Sequence, residues 1–195
     1  AVLGANMEGP YISVSRRGAQ KEEYVRKPDW REFRRIYDEC GGIIRLVELA
    51  PEREGAEEFI RHASQYCTVS LAHTEADYGQ AKAAFRQGMT HATHLFNAMP
   101  GVNHRSPGAA AAVLDDEKVQ AEIICDGFHI APPIVRLAFR LLGEDRSIVI
   151  SDSMRAAGMP DGVSELGGQK VLVKNGQGRL SDGTIAGSTT NLYEE

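Results

Sequence analysis

The chain has 195 residues, of which 42% are hydrophobic and 25% are charged. These values are typical of one globular domain, here residues 1–195, and they exclude a disordered tail or a long coiled coil. The formal net charge of −5 comes from 22 basic and 27 acidic residues, and the basic residues are scattered among acids. This pattern argues against a nucleic-acid partner.

The three cysteines, Cys40, Cys67 and Cys125, are an odd number without short paired spacing. This argues against a disulfide framework or a structural zinc site. No run approaches the ~20 apolar residues of a membrane span, and residues 1–10 lack the basic and apolar regions of a secretory signal. We therefore expect a reduced, cytoplasmic setting and no membrane partner. We also expect that residues precede Ala1, because the chain opens within a β-prone run.

Helices and strands are predicted to alternate along the chain. Short β-prone runs predict strands at 1–7, 43–49, 67–72, 90–94, 119–125 and 147–150. Apolar residues at three- and four-residue spacing predict helices at 30–40, 55–66, 77–87, 108–115 and 132–142, with Asp29 as the N-cap of the first. The polar residues 13–27 predict a surface loop or a short helix.

The sequence changes character after Asp152, where glycines and turn signals become frequent. Residues 171–174 and 179–180 flank the turn residues 175–178, which begin with Asn175 and Gly176, and this pattern predicts a β-hairpin. Residues 185–188 are predicted to form one more short strand.

Strands that alternate with helices predict parallel βαβ units. We expect a (β/α)8 TIM barrel, with its functional site at the carboxyl ends of the strands. A doubly wound open sheet is the main alternative, but neither of the usual glycine-rich nucleotide motifs follows a strand.

Polar side chains of metal-ligand type follow five of the predicted strands: Glu8, His73, His94, Asp126 with His129, and Asp152. One carboxylate and two imidazoles, from Glu8, His73 and His94, suit a divalent metal such as Zn²⁺ with a position left for water. Asp152 could then transfer a proton between that water and a leaving amine. The alternative for Asp152 is a turn or N-cap aspartate.

The loop after His94 contributes two further candidates. Asn97 can both donate and accept a hydrogen bond, which suits a polar ligand, although loop asparagines often only close turns. Arg105 could bind a phosphate or carboxylate. His91 is interpreted as an ordinary strand residue.

The motifs MEGPYIS, AHT, THLFNAMP, DGFHI, SDSMRAAG and IAGS occur in this order along nearly the whole chain. Together they resemble the N-acetylglucosamine-6-phosphate deacetylases of the amidohydrolase superfamily. The resemblance implies a metal-dependent (β/α)8 barrel that hydrolyses the acetamide of N-acetylglucosamine 6-phosphate to glucosamine 6-phosphate and acetate. Zn²⁺ is the expected metal, with Fe, Mn or Co as alternatives.

The resemblance implies roles residue by residue. Glu8, His73 and His94 match the metal ligands, and Asp152 matches the catalytic acid/base. Positions that match substrate-binding residues are Gln20, Asn97, Ala98, Arg105, His129, Ile185, Ala186 and Gly187. Arg105, by analogy, reaches into a neighbouring subunit of a homodimer.

The chain also departs from the family pattern. It contains no H-x-H motif, which the superfamily carries on the first barrel strand, so we expect the barrel of this chain to lack that strand. Asn6 stands where the family usually has histidine, and Gln20 lies near a position where the family offers histidine to the substrate. The small β domain that family members build from both chain ends is expected to be absent.

Two alternative functions remain at this point. One is an amidohydrolase that acts on a different N-acyl or cyclic amide. The other is a truncated chain that binds a sugar phosphate without turning it over.

Overall fold

The computed structural model describes residues 2–195, in which six parallel strands form one sheet in chain order. The strands are β1 (Ala5–Met7), β2 (Ile44–Leu49), β3 (Thr68–Leu71), β4 (His91–Ala92), β5 (Gln120–Ile124) and β6 (Ser147–Ile150). Each strand pairs with the next in parallel register. The predicted α/β class is confirmed, and the sheet has the strand order of a partial (β/α)8 barrel.

Helices connect the consecutive strands from β1 to β6. They are α1 (Trp30–Glu39), α2 (Ala56–Ala63), α3 (Tyr78–Gln87), α4 (Ala109–Asp115) and α5 (Pro132–Arg146). The predicted N-cap of α1 is confirmed, because Asp29 Oδ1 accepts hydrogen bonds from the backbone N–H groups of Arg31 and Glu32 at 2.8 and 3.1 Å. Regular helical geometry in α5 breaks at Gly143, where φ is 70°.

A second, antiparallel sheet follows β6. It contains β7 (Gly162–Leu166), β8 (Gln169–Lys174) and β9 (Gln177–Arg179). The hairpin predicted around Asn175 and Gly176 is confirmed by the pairing of β8 with β9. The sequence analysis missed β7, because most of its residues are exposed and it carries no run of buried apolar side chains.

The predicted strands at 1–7, 185–188 and 90–94 are shorter than expected or absent, and the last of these covers only His91–Ala92. The first covers only Ala5–Met7, Val2 and Leu3 are largely exposed, and Ala1 lies outside the described residues. Residues 185–188 form single bridges, from Ile185 to Arg179 and from Ser188 to Ser153, rather than a strand. These two bridges do not continue into a strand, because Gly187 lies between them and its φ of 58° interrupts the extended backbone.

The two faces of the parallel sheet differ in chemistry. Val47, Leu49, Val69, Leu71 and Ile123 are buried in the apolar core with the helices. The opposite face carries a set of polar side chains, all of them buried except that of Asn6, which is exposed. We call this set the inner polar layer: Asn6, Glu48, Ser70, His91, Thr93 and Glu122.

Candidate active site

The strand ends bring together four of the predicted site residues. Glu8 follows β1, His73 follows β3, His94 follows β4 and Asp152 follows β6. His73 Nε2 lies 2.8 Å from Glu8 Oε1 and 3.1 Å from His94 Nε2. His94 Nε2 lies 3.8 Å from the same oxygen of Glu8. Three donor atoms therefore converge on one point, as metal ligands do.

The backbone is unusual at these positions. His73, His94 and Asp152 have φ values of 45°, 34° and 48°, a left-handed region that residues with a Cβ rarely occupy. Such conformations are unfavourable by about 1–3 kcal/mol each and concentrate at functional sites. They turn each side chain at a strand end into the space enclosed by the sheet.

The hydrogen bonds of His73 favour a cation at this point. Its Nδ1 lies 2.7 Å from the backbone oxygen of Arg16, which can only accept, so this nitrogen carries a proton. In the neutral ring Nε2 is then an acceptor, and it faces an acceptor oxygen of Glu8. Either a proton on Nε2 or a bound cation removes the mismatch, so the donor set fits a divalent metal.

The charges of the four residues are coupled. Burial favours a raised pKa for Glu8, but hydrogen bonds and charge from His73 and His94 outweigh it and hold the pKa below its usual range. Burial lowers the pKa of His73, but the contact with Glu8 outweighs it and raises the pKa. Burial, together with the negative charge of Glu8, raises the pKa of Asp152.

A cavity of about 840 Å³ opens over these residues. Besides the four strand-end residues, its lining includes Gln20, Asn97, Ala98, His129, Ile185 and Gly187, all of which the sequence analysis selected. Arg105 and Ala186 are not among the described lining residues. Arg105 lies in an exposed loop, and Ala186 is fully buried against Met154 and Val171. The cavity lining also includes three cations that the sequence analysis did not select: Arg16, Arg17 and Lys21.

Local hydrogen bonds orient the polar lining residues. The Asn97 side-chain N–H donates to the backbone oxygens of His94 and Leu95 at 3.2 and 3.3 Å, which leaves its amide oxygen without a role in the loop. His129 Nδ1 donates to Asp126 Oδ2 at 2.7 Å. Because this bond holds the ring through Nδ1, the other nitrogen, Nε2, is the one left for a ligand.

Two buried acids near the site escaped the sequence analysis. Glu48 lies on β2 and Glu122 on β5, and both are almost fully buried. Burial and the charge of Glu8 raise the pKa of Glu48, and burial raises the pKa of Glu122 to about 7. The available signal was a single acid flanked on both sides by apolar residues within each strand. The potential ligand atoms of Glu8, Glu48, His73 and His94 all lie within 4.8 Å of one another.

The known proteins that are similar to this chain are named as deacetylases of amino-sugar phosphates. No protein-family model matches the chain. The N-acetylglucosamine-6-phosphate deacetylase of Bacillus subtilis is 42% identical over 194 residues, which is 99% of this chain and 49% of that protein. The N-acetylgalactosamine-6-phosphate deacetylase of Escherichia coli O157:H7 is 38% identical, over 98% of this chain and 51% of that protein.

A solved structure agrees with these relatives. The N-acetyl-D-glucosamine-6-phosphate deacetylase of Mycobacterium smegmatis, a mutant in complex with N-acetyl-D-glucosamine-6-phosphate, superposes with a TM-score of 0.95 and 40% identity. The match covers 98% of this chain and 51% of that one. The chain thus spans about half the length of the relatives it matches. Within residues 2–195, no helix is both long and apolar enough to cross a bilayer.

Proposed function

We propose, from the premise that this chain is homologous over nearly its whole length to the N-acetylglucosamine-6-phosphate deacetylases, that it carries the deacetylase site. The reaction would be hydrolysis of the acetamide of N-acetylglucosamine 6-phosphate to glucosamine 6-phosphate and acetate. The convergence of Glu8, His73 and His94 beside Asp152 is the observation that carries this proposal.

Glu8, His73 and His94 would hold the metal, and we propose Zn²⁺, with Fe, Mn or Co as alternatives. The two imidazoles and one carboxylate are suitable ligands for these ions. When bound, a divalent metal supplies Lewis-acid polarisation of a carbonyl and activates water. The Arg16 carbonyl orients the His73 ring so that Nε2 faces the other donors.

Asp152 is the proposed catalytic acid/base. It lies at the end of β6 on the cavity wall, and its raised pKa suits a group that accepts and returns a proton. It would take a proton from the attacking water and deliver it to the amide nitrogen, which leaves as the amine.

The cavity residues would hold the sugar phosphate. Asn97 offers its free amide oxygen, and His129 offers Nε2, held in orientation by Asp126. The remaining proposed contacts are Gln20, the backbone of Ala98, Ile185 and Gly187. Ala186, fully buried between the last two, would position them rather than contact the substrate. Arg105 lies outside the lining of its own cavity, which supports a role in the site of a neighbouring subunit of a homodimer.

Three wider proposals accompany this function. The barrel would be of the metal-dependent hydrolase type, with residues 1–195 as part of that domain. The small β domain that completes family members would be absent from residues 1–195. A phosphorylated substrate does not cross membranes unaided, so the protein would act in the cytoplasm.

A second candidate substrate is N-acetylgalactosamine 6-phosphate, because the Escherichia coli relative at 38% identity is named for it. The two sugars differ only in the configuration of one hydroxyl group. The ratio of kcat/KM for the two substrates decides between them.

The direct test is acetate release from N-acetylglucosamine 6-phosphate by the metal-loaded chain, with the unphosphorylated sugar as the matched control. We expect release that depends on added Zn²⁺ and a much larger KM without the phosphate. Equal KM values would favour an amidohydrolase with another substrate. Binding of the sugar phosphate by folded, metal-loaded chain without acetate release would instead indicate a binding protein.

A further inference from the structure

Glu48 is an acid in an unusual position, fully buried at 0% exposure on β2, an interior strand of the parallel sheet. One carboxylate oxygen, Oε1, accepts a hydrogen bond from the Asn6 side chain at 2.8 Å. The other oxygen, Oε2, is also buried and has no hydrogen-bond partner among the described residues. A buried, unpaired carboxylate oxygen is strongly unfavourable unless something compensates for it.

The convergent donors lie close to this carboxylate. One ligand atom from each of Glu48, Glu8, His73 and His94 falls within 4.8 Å of the others. Other side chains of the inner polar layer bond to one another, since Ser70 Oγ lies 2.8 Å from His91 Nδ1 and 2.7 Å from Thr93 Oγ1. A cation held by the convergent donors would therefore be a partner for the Glu48 carboxylate.

We propose that Glu48 is a fourth protein ligand of the divalent metal bound by Glu8, His73 and His94. This inference rests on the metal centre of the proposed function. A cation at this point supplies the partner that Oε2 lacks, and the Asn6 amide holds the carboxylate through the opposite oxygen. Two carboxylates and two neutral imidazoles also balance the charge of a divalent ion.

A protonated Glu48 explains the structure less well. Its O–H group would need an acceptor, and Oε2 has no acceptor within hydrogen-bond reach among residues 2–195. Protonation removes the charge but leaves a buried polar group unpaired. Ligation of a divalent metal would compensate the charge of the carboxylate and would also give Oε2 a partner.

Four protein ligands change what the site can bind. Zinc accepts a fifth ligand only in an expanded coordination shell, whereas ions with six-coordinate preferences accept water readily. We therefore expect Glu48 to increase metal affinity and coordination number together.

The test measures metal affinity of the full chain by competition with a chromophoric chelator. We expect Glu48→Gln to weaken Zn²⁺ and Co²⁺ binding by about 10- to 100-fold or more, because loss of even an indirect partner of a metal ligand has that effect. The Co²⁺ form of the variant should also absorb more strongly in the visible range, as coordination number falls. Glu122→Gln is the matched control, since Glu122 is a buried acid on the same sheet face outside the ligand group, and it should retain wild-type affinity.

Unfolding of the metal-free proteins separates ligation from folding. Glu48→Gln should be at least as stable as wild type without metal, because it replaces a fully buried ionisable group with a neutral one of the same shape. Glu48→Met, of similar length and apolar, is the second variant should the first fail to fold, and it should weaken metal binding at least as much.

Three outcomes are distinguishable. Loss of affinity in the Glu48 variants alone, with Glu122→Gln unchanged, supports ligation. Wild-type affinity in a folded Glu48 variant, together with weak binding by Glu8→Gln, overturns the inference and leaves the metal centre of the proposed function intact. Wild-type affinity in both Glu8→Gln and the Glu48 variants overturns both.

Discussion

Three histidines in and near the site differ in what their Nδ1 atom contacts. His73 and His129 each use Nδ1 to donate, to a backbone carbonyl and to a carboxylate, and so keep Nε2 free for a ligand. His91 Nδ1 contacts the Ser70 hydroxyl inside the inner polar layer. Burial lowers the pKa of His91 to about 4, so this ring is neutral at physiological pH. Residue type alone does not separate these roles.

Replacement of the proposed proton carrier gives the first prediction at this scale. Asp152→Asn should lower kcat by about 10²- to 10⁴-fold, the usual contribution of a positioned acid/base. Metal content should not change, because Asp152 is outside the group of convergent ligand atoms. Steady-state kinetics and metal analysis measure the two effects. Activity within a few-fold of wild type would contradict the assignment.

Glu122 gives a pH-dependent prediction. Its pKa rises from 4.5 to about 7 on folding, so the folded state favours the protonated acid. Its stabilising effect is fully present below pH 4.5 and is lost as pH rises through 7. Glu122→Gln should therefore gain stability relative to wild type as pH rises, by at most about 3 kcal/mol at pH 8, at 1.36 kcal/mol per pKa unit.

Urea unfolding of the metal-free wild type and Glu122→Gln at pH 5 and pH 8 measures this difference. A stability difference between the two proteins that is the same at both pH values would show that Glu122 does not titrate as described.

At the scale of elements, four strands of the parallel sheet each end just before a residue of the proposed site. The parallel sheet aligns the carboxyl ends of β1, β3, β4 and β6, so residues as far apart in sequence as Glu8 and Asp152 share one cavity. The helices that space these strands depend on local signals at their first residues. Asp29 begins α1 with two hydrogen bonds to backbone N–H groups.

Asp29→Ala should therefore lower the free energy of unfolding by about 1 kcal/mol, the typical value of an N-cap. Asp38→Ala is the matched control on the same helix, because Asp38 only forms an exposed ion pair with Arg34, worth about 0.5 kcal/mol or less. Urea unfolding compares the two variants. Equal effects would show that the cap contributes nothing beyond an exposed charge.

At the scale of the whole molecule, the cavity combines both sheets. Leu166 and Gly167, at the turn between β7 and β8, line it together with strand-end residues of the parallel sheet. Gln169 on β8 donates a hydrogen bond to the backbone oxygen of Ala19, which also lines the cavity. Arg105 is a proposed site residue that lies in an exposed loop outside this cavity.

The homodimer proposal predicts complementation between two variants that are impaired in different ways, assayed at a substrate concentration well below the raised KM. Arg105→Ala should raise KM for the phosphorylated substrate, and Asp152→Asn should lower kcat. If Arg105 acts in the partner's site, mixed dimers contain one site with both residues intact, and random mixing restores about a quarter of wild-type activity. Mixing after subunit exchange, followed by acetate assay, measures this. No recovery in dimers that exchange subunits would place Arg105 in its own site or in none.

The sequence by itself determined the α/β class, the parallel strand order, the α1 cap and the β8–β9 hairpin, because these depend on local periodicity and turn chemistry. It also identified the strand-end residues as a set, since parallel strands place such ends on one edge. Only the tertiary structure decided that Glu48 and Glu122 are buried beside that set, that Arg105 lies outside its own cavity, and that β7 completes a second sheet. Burial and contact between distant strands depend on how the sheet curves and packs, and a single acid within a strand carries no local signal of what it faces.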